Sequence, residues 1–344
     1  MIAPSKKFKN PRAQHGFQGR TCSIIAVGSY VPERVLTNAE LEKMVDTSDE
    51  WITSRTGIKE RRIAAKDQVT SDLAAAAALR AIERAEISPE QIDLIITATI
   101  TPDMLFPSTA CIVQQKIGAR RAAAFDIEAA CSGFIFGLEI GQQFIMSRTY
   151  DTVLVIGAEK LSTIIDWNDR NTCVLFGDGA GAAILQNRPQ AHGLLTACMG
   201  ADGSKAELLS MPGGGSRCPA TVESLAAKLH YLRMDGKETF KNAVNAMYTA
   251  AQEALRRCEL DISQIKCVIP HQANRRIIDA VMERLGIRPE QVFVNLEKYG
   301  NTSAASVAIA LDEAVQGGRI QRGDLVLLVV FGAGLTWGAA VIEW

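Results

Sequence analysis

Apolar positions along this chain fall into two kinds of stretch. Short runs with little polar interruption, at Cys22–Ser29, Leu94–Thr99, Thr152–Gly157, Ala182–Leu185, Cys267–Pro270, Val292–Leu296, Leu325–Val330 and Ala339–Glu343, predict strands. In Thr152–Gly157 the apolar character is continuous, which is how a strand of a parallel sheet buried on both faces reads. Between them lie segments with helical spacing: Asn38–Val45, Ser48–Arg55, Ser71–Ala85, Glu238–Arg257, Arg275–Leu285 and Ala304–Val315. Ser48 followed by Asp49 and Glu50 reads as a capped helix start.

Two of these patterns recur. RAIERAEISPEQIDLIITAT (80–99) aligns with EALRRCELDISQIKCVIPHQ (253–272), and FGDGAGAAIL (176–185) answers FGAGLTWGAAVI (331–342). Each half then runs helix, strand, crossover helix, strand, and two strands around glycines. Two such halves, 21–190 and 191–344, predict a layered α/β protein with helices between and outside two sheets. Pseudo-symmetry also predicts a central site fed by both halves.

Composition narrows the function classes. With 344 residues, 47% of them hydrophobic, the chain can bury a large core, and a net charge of −1 argues against a general nucleic-acid binder. Eight Cys without a Cys-x-x-Cys pair, and only four His, give no zinc-type spacing and suit a reducing cytoplasm. Residues 1–20 carry Lys6, Lys7, Lys9, Arg12 and Arg20 without an acid, and read as a flexible basic tail rather than a secretory signal. Leu325–Ile342 is long enough to suggest a membrane span. It is interrupted by Gly332, Gly334, Thr336, Trp337 and Gly338, so two strands around a glycine turn are expected.

Candidate chemistry centres on Cys131, where a strand ending at Phe125–Ile127 meets the long apolar run of AAFDIEAACSGFIFGLEIGQQFIMSR (123–148). A thiol at a helix start is expected to be held partly as thiolate by the unpaired N–H groups and the dipole. A buried Cys that only packs is the plain alternative. His271 follows the strand of the second half, at the carboxyl end where open α/β sheets place reactive groups. Asn301 lies in KYGNTSAAS, whose small residues allow a close approach to a buried site; read alone it is also an ordinary turn residue. The Gly-x-Gly-x-Gly at 177–181 precedes a strand-like AAIL rather than a helix, so close packing is preferred there to a phosphate loop.

Taken together, DIEAACSGF, IPHQAN, GNTSAAS, FGAGLTWG, TNAELEKMVDTSDEWITSRTGIKER (37–61), FPSTAC (106–111) and FGDGAGAA (176–183) resemble β-ketoacyl-[acyl-carrier-protein] synthase III of the thiolase-like superfamily, in order and across nearly all of 22–344. The resemblance implies a thiolase-like αβαβα fold, each half with a mixed five-stranded sheet, and a homodimer. It also implies a decarboxylating condensation of an acyl-CoA starter, most often acetyl-CoA, with malonyl-[acyl-carrier protein], needing no metal or organic cofactor. Cys131 would carry the acyl group, and the N–H groups of Cys131 and Ala333 would form the oxyanion hole. His271 and Asn301 would donate hydrogen bonds to the malonyl thioester. Trp51 and Arg170 would sandwich adenine, Arg55 would meet phosphate, and Thr47, Gly236, Phe240 and Asn274 would line the pantetheine route. Gln272, Ala273, Asn274, Arg275 and Arg276, with Lys241 and Arg284, would face the acyl carrier protein. Phe106 and Phe176 would bound the acyl pocket.

Three positions depart from that pattern: Lys237 stands where Asn is usual, Ala333 replaces a glycine, and the 211–230 crossover is longer. A related condensing enzyme with a longer or polyketide-type starter remains open on the motifs. So does a Cys-His thioester hydrolase, in which His271 would act as base and Asn301 only orient it. A non-catalytic module that binds the carrier protein is the third alternative.

Overall fold

In the computed structural model, which describes residues 21–188 and 193–344, alternation along a few central strands explains the layering. Leu94 and Ile96 point with Val153 and Val155 into a core that also holds Phe134, Leu138, Val307 and Leu311. Ile95, Leu154 and Ile156 point the other way, onto Leu73, Ala77 and Val113. The first sheet therefore has helix Gly133–Met146 and helix Ala305–Gln316 on one face, and helices Thr70–Ala85 and Thr109–Ile117 on the other. Its strands run in the order Cys22–Tyr30, Gly179–Asn187, Thr152–Glu159, Leu94–Ala98, Ala123–Ile127, with Leu94–Ala98 parallel to both its neighbours.

The second sheet repeats the arrangement. Cys267–Pro270 lies parallel to Leu325–Gly332, which is antiparallel to Thr336–Glu343, and that strand is antiparallel to Leu194–Ala201. Val326, Leu328 and Val330 share the central core with the first sheet, while Val268, Leu327 and Val329 pack on the outer helices Gly236–Cys258 and Arg275–Leu285. Five layers result, as the resemblance implies.

The second sheet has four strands rather than the five expected. Val292 keeps only an isolated parallel bridge to Val268, and Leu296 opens the short helix Leu296–Tyr299. The cause is local: Phe293 N–H still reaches Val268 O at 2.9 Å, but Asn295 N–H is captured by the side chain of Gln272 at 3.0 Å, which ends the pairing. Asn38–Val45 is shorter than expected too, with helix only over Asn38–Leu41.

The internal repeat holds to the level of single dihedrals. Glu86 and Glu259 both end their helices in the left-handed region, at φ 54° and 55°. Each is followed by a one-turn 3-10 helix in which a Gln side chain, Gln91 or Gln264, accepts the N–H of the capping residue at 2.8 Å. Leu325–Ile342 forms two strands joined by a glycine turn, and among the described residues no helix is long and apolar enough to cross a membrane. The 1–20 tail and His192 lie outside the described residues.

Glycines set the spacing between the sheet and the central helices. A Cβ at Gly181 would lie 2.4 Å from the Cβ of Ala308, so the 177–181 glycines serve packing, as their strand-like sequel indicates. A Cβ at Gly157 would lie 2.4 Å from the carbonyl oxygen of Ala304, a backbone atom that cannot turn aside. Gly157→Ala is expected to lower the unfolding free energy by roughly 1–3 kcal/mol, the usual cost of overpacking. Urea denaturation measures it; an unchanged midpoint would mean that strand and turn separate freely.

Candidate active site

Cys131 lies where its own turn meets the turn at 333–335. Strand Ala123–Ile127 ends, Ala129 and Ala130 make a sharp turn, and Cys131 sits in a 3-10 turn just before helix Gly133–Met146. Ala130 takes φ 45°, a left-handed conformation that costs a non-glycine residue free energy. Gly332 presses against this turn: a Cβ there would lie 2.7 Å from Cys131 N and 3.2 Å from Ser132 N. Thr336 Oγ1 lies 2.9 Å from Ala129 O and 3.0 Å from Ala333 O, tying the two turns together. Ala333 itself stays out of the left-handed region, and Gly334 takes that role with φ 131°.

The thiol departs from the sequence expectation. Cys131 is 7% exposed, and burial pushes its pKa up to about 12. The Ser303 hydroxyl works against this shift and the nearby Glu159 adds to it. Desolvation outweighs the helix terminus here, partly because the α-helix proper begins only at Gly133. The resting group is a thiol.

His271 is held by its own strand end, its N–H donating to Val329 O at 2.8 Å. Nδ1 and Ser306 Oγ are 2.7 Å apart, which leaves Nε2 for the cavity. Burial alone drives the imidazole pKa down to about 3. Asn301 is placed by backbone: its N–H donates to Leu175 O at 2.8 Å, and its C=O accepts from Gly177 N–H at 3.0 Å. Its Oδ1 accepts from Ser303 N–H at 2.9 Å, so the amide presents its NH₂ group, not its oxygen, to the cavity.

Cys131, His271 and Asn301 line one cavity of about 390 Å³, with Trp51, Arg55, Phe240 and Met247 along its walls. Cys131 also lines a second cavity of about 370 Å³, bounded by Ile100, Leu161, Ile164, Phe176, Leu232 and Ala333. The thiol thus stands at the junction of a channel and a mostly apolar chamber.

Two segments of the chain match family profiles: residues 125–203 that of 3-oxoacyl-[acyl-carrier-protein (ACP)] synthase III, and residues 255–344 that of 3-oxoacyl-[acyl-carrier-protein (ACP)] synthase III C terminal. A β-ketoacyl-[acyl-carrier-protein] synthase III of Caldanaerobacter subterraneus subsp. tengcongensis is 60% identical over 321 residues, 93% of this chain and 97% of that protein. One from Desulfitobacterium hafniense is 54% identical over 321 residues, again 93% and 97%. The solved 3-oxoacyl-[acyl-carrier-protein] synthase III of Aquifex aeolicus VF5 superimposes with a TM-score of 0.88 at 51% identity, over 94% of this chain and all of that one. The chain belongs to the β-ketoacyl-[acyl-carrier-protein] synthase III family.

Against the contacts the family resemblance implies, the structure is selective. Trp51, Arg55, Gly236, Phe240, Ala273, Asn274 and Arg276 all line the channel that reaches Cys131. Arg170 lies over the Trp51 ring at 4.8 Å and is held there by Asp46 O at 2.7 Å, so the two expected to sandwich adenine stack directly on each other. Thr47 does not line the channel; it precedes Ser48, the cap of helix Asp49–Thr56.

Gln272 is not on the surface. It is 1% exposed, donating to Pro270 O at 2.6 Å and accepting from Asn295, because it fills the gap where the fifth strand stops. Asn274 caps helix Arg275–Leu285 and donates to Arg55 O at 3.2 Å. Arg275 pairs with Asp279 at 2.8 Å, Arg284 stacks on Tyr248 at 3.9 Å, and Lys241 is exposed. Phe176 lines both cavities, but Phe106 lines neither. It is 83% exposed beside Leu105, on a loop that projects away from the apolar walls of its own chain.

Sequence reasoning did not single out Ser306 or Ser303. The His271–Ser306 contact spans 35 positions, and no local pattern announces it. Among the described residues no cluster of His, Cys, Asp and Glu could hold a metal ion.

Because His271 titrates near 3 when folded and near 6.5 otherwise, the unfolded chain binds the extra proton first as pH falls. Its contribution is full above about 6.5 and is lost as pH drops toward 3. The His271 ring resonances are expected not to titrate between neutral pH and about pH 5, as read by NMR with His271→Gln as the assignment control. A titration centred near 6.5 would show that the imidazole is solvated.

Proposed function

We propose that Cys131, His271 and Asn301 carry out the family's reaction in this chain, with Cys131 from the first half (21–190) and the other two from the second (191–344). The chain is an acyltransferase of the initiating condensation in fatty acid biosynthesis, joining an acyl-CoA starter to malonyl-[acyl-carrier protein]. The observation that carries the assignment of roles is the pair of neutral donors beside the thiol. His271 has a hydroxyl rather than a carboxylate at Nδ1, and Asn301 has its oxygen already occupied.

The acyl-CoA thioester carbon is attacked by the sulfur of Cys131, and CoA leaves. The N–H groups of Cys131 and Ala333 stabilise the oxyanion. The acyl group rests in the second cavity. With the Ser306 hydroxyl donating to Nδ1, the imidazole proton sits on Nε2 and points to the malonyl thioester oxygen beside the Asn301 amide. Loss of carbon dioxide puts negative charge on that oxygen. Two neutral donors stabilise the enolate without protonating its carbon, and the carbon attacks acyl-Cys131.

A hydrolase needs the opposite electrostatics, a His held as base by an acidic partner. Burial that drives His271 down to about 3 opposes this. Arg276 lines the channel, and Lys241, Arg275 and Arg284 are exposed on the helices Gly236–Cys258 and Arg275–Leu285, which suits an acidic carrier. The exposed Leu105 and Phe106 suit a second copy of the chain, and eight unpaired thiols suit the cytoplasm.

Cys131→Ser is expected to abolish acyl transfer from acetyl-CoA, read by intact-mass spectrometry. His271→Ala or Asn301→Ala should cost on the order of 10² to 10³ in condensation while leaving self-acylation largely intact. If either stops self-acylation, the division of roles is wrong. Charge reversal at Lys241 together with Arg284, neither of which lines the channel, should raise KM for malonyl-[acyl-carrier protein] about tenfold and leave the rate of self-acylation close to wild type. An unchanged KM would move the carrier surface elsewhere.

A further inference from the structure

Glu159 takes no part in the condensation as described, yet it is a fully buried carboxyl close to the nucleophile. It ends strand Thr152–Glu159, two residues beyond Gly157, and therefore points to the same face, the one on which Gly157 meets the turn after Asn301. Thr101 Oγ1 donates to it at 2.7 Å, Thr99 Oγ1 at 3.3 Å, and Ile100 N–H lies 3.2 Å away. No cation compensates it among the described residues. Lys160, next in the chain, turns its ammonium to the carbonyls of Ala65 and Gln68. The charge of Glu159 opposes ionisation of Cys131, on the Ala130–Ser132 turn.

Ser303 stands between the two. It lines the second cavity beside Cys131, the Ala304 carbonyl next to it lies against Gly157 on the face that Glu159 shares, and its hydroxyl is buried without a hydrogen-bond partner. The residue is held at φ 48°, with its N–H committed to Asn301, so the chain sustains local strain to keep it there. A buried hydroxyl left open between a thiol and a carboxyl can accept a proton from one and pass its own to the other.

We infer that Glu159, acting through the Ser303 hydroxyl, holds the proton of Cys131 while that thiol is acylated. The inference rests on Cys131 being the acylated residue. As the Cys131 S–H bond breaks, its proton moves to Ser303 Oγ and the Ser303 proton moves to the Glu159 carboxylate. The sulfur forms its bond to the thioester carbon, the bond from that carbon to the CoA sulfur breaks, and the departing CoA thiolate takes a proton from water. When condensation later expels Cys131 as thiolate, Glu159 returns its proton along the same path. Desolvation raises the Glu159 pKa to about 7, so the carboxyl can exchange a proton near neutrality, which His271 cannot do.

The test is single-turnover acylation of the full chain by acetyl-CoA from about pH 5.5 to 8.5, followed by intact mass, with Glu159→Gln and Ser303→Ala beside the wild type and folding checked by thermal denaturation. The wild-type rate should rise through about pH 7, and both variants should be slower by on the order of 10² with that rise lost. A wild-type profile without the rise, or variants that keep it whether or not they are slower, overturns the inference. Where Glu159→Gln does not fold, Ser303→Ala decides. Absence of any adduct on wild-type Cys131 is a different result, and overturns the nucleophile assignment beneath it.

Discussion

The site exists because backbones approach one another with no side chain between them. Gly157 of the first sheet meets the Ala304 carbonyl, Gly332 of the second sheet meets the amide of Cys131, and Gly300 lies against Leu175 O. Each contact joins a strand or turn of one half to a turn of the other. Any Cβ at these points would separate the halves by the better part of an ångström, more than a constellation of reacting groups tolerates. Asn301 shows the consequence most clearly, since both of its backbone polar groups are spent on residues 175–177 of the other half. Its side-chain direction is therefore fixed before any substrate arrives.

Tight approach brings desolvation, and desolvation sorts the titratable groups. It holds His271 neutral and keeps Cys131 a thiol. Neutrality suits the proposed decarboxylation, where an imidazolium would protonate the enolate carbon. It does not suit nucleophilic attack, for which the thiolate is the reactive form. One environment cannot satisfy both demands by burial alone. The Ser306 hydroxyl bonds His271 without adding charge, and in the inferred transfer the buried, unpartnered hydroxyl of Ser303 does the same for the thiol.

Much of this was legible in the chain itself. The repeat of 80–99 in 253–272 carries a matched pair of left-handed Glu residues and Gln-capped turns, so its symmetry is written in residues that have no other reason to agree. The glycine turn in the last strands and the packing role of 177–181 were equally readable. What escaped belongs to tertiary context. Val292–Leu296 has the composition of a strand, but a side chain 23 positions away takes the N–H that would have extended it. Gln272 was expected on the carrier-protein face from the family resemblance, and only the unfinished sheet edge explains its burial. The ionisation of Cys131 was misjudged for a similar reason: helix position can be read from sequence, but the depth of burial that overrides it cannot.

Placing the thiol between two cavities gives order to a reaction with two pantetheine-bearing substrates. In the proposed sequence the acyl group stays on Cys131 in the apolar chamber, so the channel must empty before the carrier arm can enter it. Weak retention of CoA is then an advantage. Were adenine to take the place between Trp51 and Arg170 that the resemblance implies, it would have to part a stack whose guanidinium is also bonded to Asp46. These contacts are exposed and individually worth about 1 kcal/mol or less. With adenine in that place, a contact of this size would weaken retention of the first product without barring its arrival.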